Sequence, residues 1–250
     1  MEKSNIVINT LVFLEGLNNG VKQSELLKDI HSLGINKVEI RREFIKDFGA
    51  ELQDIRHISG ELQIQLYYSV PRYLYVGGAL NIYEIEEVFK EAHKMNCKNV
   101  KLNIGEYSHM SSENVYKINW LCDKYEILLT IENDQTEENG QVEKIEKFLL
   151  SAETLGMKVS CTFDIGNWLW QKEDPKENAI KLKPYVTYIH LKDVFIKEKP
   201  QVALLGKGIL PWISILKLFE KDIPVAIEYP CYPDTLVLLK RELDRLQEII

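Results

Sequence analysis

The 250-residue sequence is poor in cysteine: Cys97, Cys122, Cys161 and Cys231 are the four, and no two form a C-x-x-C pair. That spacing excludes a zinc ribbon and a disulfide framework, and it leaves reduced thiols, the state expected in the cytoplasm. No apolar run approaches the roughly 20 residues that a membrane-spanning helix needs. The opening stretch Met1–Asn5 carries no apolar segment of the kind that marks a secretory leader. There is no basic surplus either. Lys and Arg number 31 against 38 Asp and Glu, a net charge of −7, which argues against a nucleic-acid partner. Proline and glycine never gather into a linker, and neither a sequence repeat nor a low-complexity tract is visible. Residues 1–250 are therefore expected to form one domain. A hydrophobic content of 45% is enough to give such a chain a core without staples.

Two kinds of segment alternate along the chain. Short runs rich in β-branched residues read as strands: Ile6–Ile8, Val38–Ile40, Leu62–Tyr68, Val100–Ile104, Ile127–Ile131, Val159–Phe163, Val186–Leu191 and Val225–Ile227. Between them lie stretches with helical spacing. Ile85, Val88, Phe89 and Ala92 follow it, as do Ile145, Phe148, Leu149 and Ala152. Leu239, Leu243, Leu246 and Ile250 mark a last helix, and Pro175–Leu182 a short one. Alternating strands and helices imply parallel pairing with right-handed crossovers. Eight such units in a chain of this length fit the α/β class as a single (β/α)8 TIM barrel. The rival, an open doubly wound sheet, would carry G-x-G-x-x-G after its first strand, and none is present.

Strand side chains alternate between faces. In the fifth strand Leu129 and Ile131 share one parity, Thr130 and Glu132 the other. The same division sets Cys161 and Phe163 against Thr162 and Asp164, Ile189 and Leu191 against Tyr188 and His190, and Val225 and Ile227 against Ala226 and Glu228. The greasier parity suits the helix layer. The other ends each time in an ionisable residue at the C-terminal tip, where barrel active sites lie. Glu132, Asp164, His190 and Glu228 are thus expected at one level. Crowded carboxylates repel unless they take up protons or bind a cation. Three carboxylates and an imidazole suit one divalent metal ion: Mn, Mg, Co or Zn.

The segments Leu129–Asn133 (LTIEN), Phe163–Asn167 (FDIGN), Ile189–Val194 (IHLKDV) and Val225–Tyr229 (VAIEY) resemble the last four strands of the xylose isomerase-like sugar isomerase/epimerase superfamily. Gly206-Lys207-Gly208, followed by Trp212, resembles the glycine loop after strand seven there. The resemblance implies a metal bound by Glu132, Asp164, His190 and Glu228. It also implies two catalytic glutamates, Glu132 and Glu228, that trade a proton beside a substrate carbonyl. The substrate implied is a small sugar or sugar phosphate. Asn167 stands where free-ketose epimerases carry a histidine, and Lys192–Lys197 lacks their arginine, so the resemblance does not extend to free-ketose specificity. Lys207, in place of a glutamate, is either a contact for an acidic substrate or a solvated loop lysine.

Lys192, Asn167, Asn103, Lys101 and Glu39 have the parity and position of substrate-binding residues, alongside Arg41 and Tyr67. The alternative for some of them is a buried ion pair, for instance Glu39 with Lys101. Asp193 is expected to brace a neighbouring loop. Trp168, Trp170 and Tyr229 are expected to wall the pocket or to pack, and Trp120 to lie in the core. Three further readings share the barrel. An inosose-type dehydratase or isomerase uses the same first proton removal. A non-catalytic sugar-binding barrel would need only the pocket. The zinc-dependent apurinic endonucleases need three metals and extra histidines; Tyr68, Asn103 and Asn167 occupy those places. A homodimer through the last helix, with Leu236 and Leu239 turned outward, is the assembly the sequence suggests.

Overall fold

The computed structural model describes residues 3–249, so Met1, Glu2 and the expected helix position Ile250 lie outside it. Its strands are β1 (Ile6–Asn9), β2 (Lys37–Arg41), β3 (Gln65–Val76), β4 (Ala79–Leu80), β5 (Asn99–Gly105), β6 (Leu128–Glu132), β7 (Ser160–Asp164), β8 (Val186–Leu191), β9 (Asp193–Ile196), β10 (Pro200–Ala203) and β11 (Val225–Ile227). The α-helices are α1 (Leu14–Asn18), α2 (Gln23–Ser32), α3 (Ala50–Glu61), α4 (Ile82–Met95), α5 (Ser112–Tyr125), α6 (Val142–Leu155), α7 (Pro175–Leu182), α8 (Trp212–Leu216) and α9 (Thr235–Ile249). Strands β1, β2, β3, β5, β6, β7, β8 and β11 pair in that order, all parallel, and β11 returns to β1. The sheet is a closed (β/α)8 TIM barrel. Among the described residues no helix is long and apolar enough to cross a membrane.

The two apolar periodicities account for the layers. Leu129, Ile131, Cys161, Phe163, Ile189 and Leu191 are buried in the cluster shared with Ile85, Val88, Phe89, Ala92, Ile145 and Phe148 of α4 and α6. The opposite strand parity fills the barrel. Val7, Tyr67, Tyr188 and Ala226 form a separate buried cluster inside it. Tyr67 and Tyr188 stack there with ring centroids 4.7 Å apart. Tyr67 therefore belongs to the barrel's filling and not to the mouth, where its parity alone had put it.

Local chemistry sets the element ends. Asp174 caps α7 by accepting from the backbone N–H groups of Lys176 and Glu177, with Pro175 in the first turn. Helices α4, α5 and α6 end on Asn96, Glu126 and Gly156 in the left-handed conformation. The third strand begins at Gln65 and not at Leu62, because Leu62 closes α3 and Gln63 turns the chain with φ 53°.

Two features raise walls above the barrel, and neither was expected from the sequence. Strand β3 changes register between Ser69 and Tyr73, runs on to Val76 and turns back into β4. The turn is Gly77-Gly78, both with positive φ, the pair a tight hairpin demands. On the other side β9 and β10 form an antiparallel hairpin directly after β8.

Two packing expectations are corrected, and Tyr229 takes the second of its two expected roles. Trp120 is about half exposed, under the Lys124 ammonium, because the buried stripe of α5 runs through Val115, Ile118, Leu121 and Cys122. Leu239 faces the core with Leu243 and Leu246, so of the proposed outward pair only Leu236 is exposed. Tyr229 does not wall the mouth; its hydroxyl donates to Glu242 of α9 at 2.9 Å.

Candidate metal centre and active site

Strand ends β6, β7, β8 and β11 deliver Glu132, Asp164, His190 and Glu228 to one point. Each offers a donor atom, and the four atoms lie within 4.8 Å of one another, all buried. Neighbouring residues aim them. The two oxygens of Asp164 divide their work: Oδ1 accepts from the backbone N–H groups of Gly166 and Asn167, at 2.8 and 2.9 Å, and Oδ2 faces the cluster. Asn133 ties β6 to β7 by accepting from the Asp164 N–H and donating to its carbonyl. Gly166 is required by close approach: a Cβ there would stand 2.6 Å from Cγ of Lys192.

Cations surround the carboxylates. Lys101 Nζ lies 2.5 Å from Glu132 Oε2. Lys192 Nζ lies 2.6 Å from Asp164 Oδ2 and 2.8 Å from Glu228 Oε2. Arg41 Nη1 donates to Glu228 Oε1 at 2.7 Å. His190 Nδ1 stands between the glutamates, 2.6 Å from Glu132 Oε1 and 3.3 Å from Glu228 Oε2. Burial pushes every one of these carboxyls up, and the neighbours decide the outcome. Lys101 and then His190 overcome it at Glu132, which is held down at about 2. His190, Lys192 and Arg41 hold Glu228 well below the usual range. At Asp164 burial wins over the Lys192 ammonium and the carboxyl is raised to about 7. Burial opposes a charged His190, but Glu228, Glu39 and Glu132 raise it well above an ordinary histidine.

The donor set fits a metal ion. Glu132 Oε1, Asp164 Oδ2 and His190 Nδ1 are buried without a hydrogen-bond partner, although charged groups lie close to each. His190 Nδ1 and Glu132 Oε1 stand 2.6 Å apart with no hydrogen bond between them, and both belong to the set of four converging donors. Three carboxylate oxygens and one imidazole nitrogen suit Mn, Co, Zn or Mg.

Above the cluster lies a cavity of about 350 Å³, lined by Arg41, Lys101, Asn103, Glu132, Asn167, Lys192 and Glu228, with Pro71, Leu11, Val202 and Pro230 as its apolar walls. Pro71 comes from the β3 bulge and Val202 from the β9–β10 hairpin. Of the residues assigned to substrate from the sequence, Lys101, Asn103, Asn167 and Lys192 line this cavity. Glu39 does not: it is fully buried beneath His190. Lys101 pairs with Glu132 and not with Glu39. Lys207 is exposed and stands outside the cavity lining. Asp193 braces the glycine loop as expected, accepting from the N–H groups of Gly206, Gly208 and Leu210. Trp168 is core, packed on Phe163. The clamp of Arg41 on Glu228 was not foreseen. Parity alone placed Arg41 inward, and a strand-to-strand partner 187 residues away leaves no local trace.

No known family profile and no curated protein matches the chain. Solved structures do share its fold. A probable 3-DHS dehydratase, AsbF, from Bacillus anthracis matches with a TM-score of 0.70 at 12% identity, over 97% of this chain and 98% of that one. A D-psicose 3-epimerase determined in the presence of D-fructose matches with a TM-score of 0.71 at 14% identity, over 98% and 99%. A xylose isomerase domain protein from Planctomyces limnophilus matches with a TM-score of 0.62 at 18% identity, over 89% of each chain. The fold is that of the xylose isomerase-like TIM barrels.

Proposed function

We propose that this barrel is a divalent-metal-dependent isomerase or epimerase of a small sugar or sugar phosphate, moving a proton at the carbon beside a carbonyl. The observation that carries the reading is the convergence of Glu132, Asp164, His190 and Glu228, with three of their donor atoms unpartnered. These four residues would hold the ion. Once bound, it would supply positive charge where negative charge develops on the substrate oxygens as the proton leaves.

The chain's own residues account for the proton transfer. A carboxylate acts as a base only when ionised, and the Lys101 ammonium favours that form of Glu132, as Lys192 and Arg41 favour it for Glu228. The two glutamates approach from β6 and β11, on either side of His190. A substrate seated between them gives its proton to the ionised glutamate on one face; the other glutamate returns a proton to the opposite face only after taking one up from solvent, and the first then releases the proton it gained. That inverts the carbon. Lys101, Lys192, Asn103 and Asn167 line the cavity with the donors that a polyol's oxygens need. Its volume is at the small end of ligand pockets, which suits a monosaccharide.

Dehydration is the second reading, favoured by the likeness to a protein named as a probable dehydratase. It shares the first proton removal and differs in losing a hydroxyl afterwards.

The test is elemental analysis of protein purified without chelator, followed by a panel of ketoses and ketose phosphates in D2O. The expected result is one divalent ion per chain and deuterium at the carbon beside the carbonyl, both lost in Asp164→Asn and His190→Ala. Protein that takes up no metal from added Mn or Co would sink the reading. Three zinc ions per chain would point to the endonuclease chemistry instead.

A further inference from the structure

Glu39 has the parity of a substrate residue, yet its carboxylate is fully buried and turned to the underside of His190. Oε2 lies 3.0 Å and Oε1 3.2 Å from His190 Nε2. Two donors hold the carboxylate there: Asn9 Nδ2 at 2.7 Å and the Tyr188 hydroxyl at 3.2 Å. The Tyr188 ring also meets the imidazole edge-on, centroids 5.0 Å apart, and is itself stacked on Tyr67.

A carboxylate flanked by these donors can only accept. The ring nitrogen facing it must therefore carry a hydrogen, and in a neutral imidazole the lone pair then resides on the other nitrogen. That other nitrogen is Nδ1, the unpartnered atom facing Glu132 and Glu228.

We propose that Glu39 is a positioning residue, which fixes His190 as the Nε2–H tautomer and aims its Nδ1 lone pair at the metal, with Asn9 and Tyr188 holding Glu39 in turn. The inference rests on the metal-dependent reading above. It removes Glu39 from the substrate contacts and places it behind the ligand. Carboxylate partners of ligating histidines commonly change metal affinity by roughly 10–100-fold when they are removed.

Cobalt titrations followed by calorimetry and visible absorption on wild type, Glu39→Gln, Glu39→Ala and Tyr188→Phe provide the test. All four should bind one ion. Affinity should fall from wild type through Tyr188→Phe and Glu39→Gln to Glu39→Ala, the last by roughly 10–100-fold, with a changed cobalt spectrum. In zinc-loaded wild type, nitrogen-15 spectra of labelled histidine should show the proton on Nε2 alone. A purely structural role for Glu39 would lower thermal stability and leave the cobalt spectrum and the tautomer unchanged, and that result overturns the proposal. If Glu39→Ala does not fold, Glu39→Gln and Tyr188→Phe decide, and wild-type affinity in both overturns it. Wild type that binds no cobalt overturns the metal-dependent reading and this inference together. Wild type that binds, with variants that bind equally well, overturns this inference alone.

Discussion

Arg41 and Glu228 form an ion pair that spans the barrel's closing seam, Nη1 to Oε1 at 2.7 Å, from the tip of β2 to the end of β11. Both side chains are largely buried, and Arg41 holds Glu43 with the other arm of its guanidinium. Arg41→Met removes one partner and leaves a buried carboxylate with one cation fewer. Urea unfolding should show a loss of about 3 kcal/mol in metal-free protein. A change below about 0.5 kcal/mol would mean that Lys192 and His190 satisfy Glu228 unaided.

Metal-free protein should lose stability as pH rises. Asp164 is raised to about 7 and His190 well above its usual value. A group raised by folding stabilises below its unfolded pKa, and that contribution is lost as pH climbs through the folded one. Glu132, held at about 2, and Glu228, also lowered, act at the other end: their contribution is present above the ordinary carboxylate range and is lost as pH falls. The Tm of chelator-treated protein should therefore fall from about pH 4 through about pH 7 as Asp164 ionises, go on falling above that as His190 loses its proton, and fall separately below about pH 4 as Glu132 and Glu228 take up protons. Added Mn or Co should offset the alkaline fall, because binding needs both Asp164 and His190 deprotonated. A Tm that is flat across the neutral range would contradict the assignment.

Gly166 and Lys192 should be energetically coupled. The missing Cβ leaves room for Lys192 Cγ and for Val194. Gly166→Ala should destabilise by about 1–3 kcal/mol through overpacking. The same change should cost less when Lys192 is already alanine. A double-mutant cycle measures this directly, and additive effects would show that the crowding is relieved elsewhere.

Asp193→Ala should loosen the loop after β10 while leaving the four donors in place. The carboxylate accepts from the N–H groups of Val194, Gly206, Gly208 and Leu210. Its loss should cost roughly 3 kcal/mol and speed hydrogen exchange at residues 206, 208 and 210. Unchanged exchange would mean that the hairpin alone orders the loop.

The sequence was most legible where a two-residue period met a strand end. Glu132, Asp164, His190 and Glu228 stand out because their neighbours Ile131, Phe163, Leu191 and Ile227 are apolar and buried among the helices. Partner choice was less legible. By parity Lys101 could face Glu39 or Glu132, and the strand register, which sets Glu39 level with Asn99 and not with Lys101, favours Glu132. Glu39 and Tyr67 share an inward parity with the mouth residues, and depth along the barrel axis is not written in parity. The walls were illegible for a different reason. A register shift at Ser69–Tyr73 and a hairpin immediately after β8 interrupt the alternation that makes a strand readable. Trp120 misled because a large aromatic reads as core, while the stripe of α5 passes beside it.

The closing seam bears on how the chain folds. Ile6 pairs with Val225, and Asn9 reaches Glu228 across 219 residues. Contacts of such separation carry a high loop-closure cost and form late. Until β11 docks between β8 and β1, Glu228 has no place beside His190, and the carboxylates of β6 and β7 lie in an open, hydrated half-barrel. Glu228 therefore joins a cluster whose Lys101, His190 and Lys192 already stand on or beside β5 and β8, and of its cations only Arg41 comes from across the seam. Ring closure and site assembly are then one kinetic event, and any change that slows the docking of β11 delays activity by the same interval.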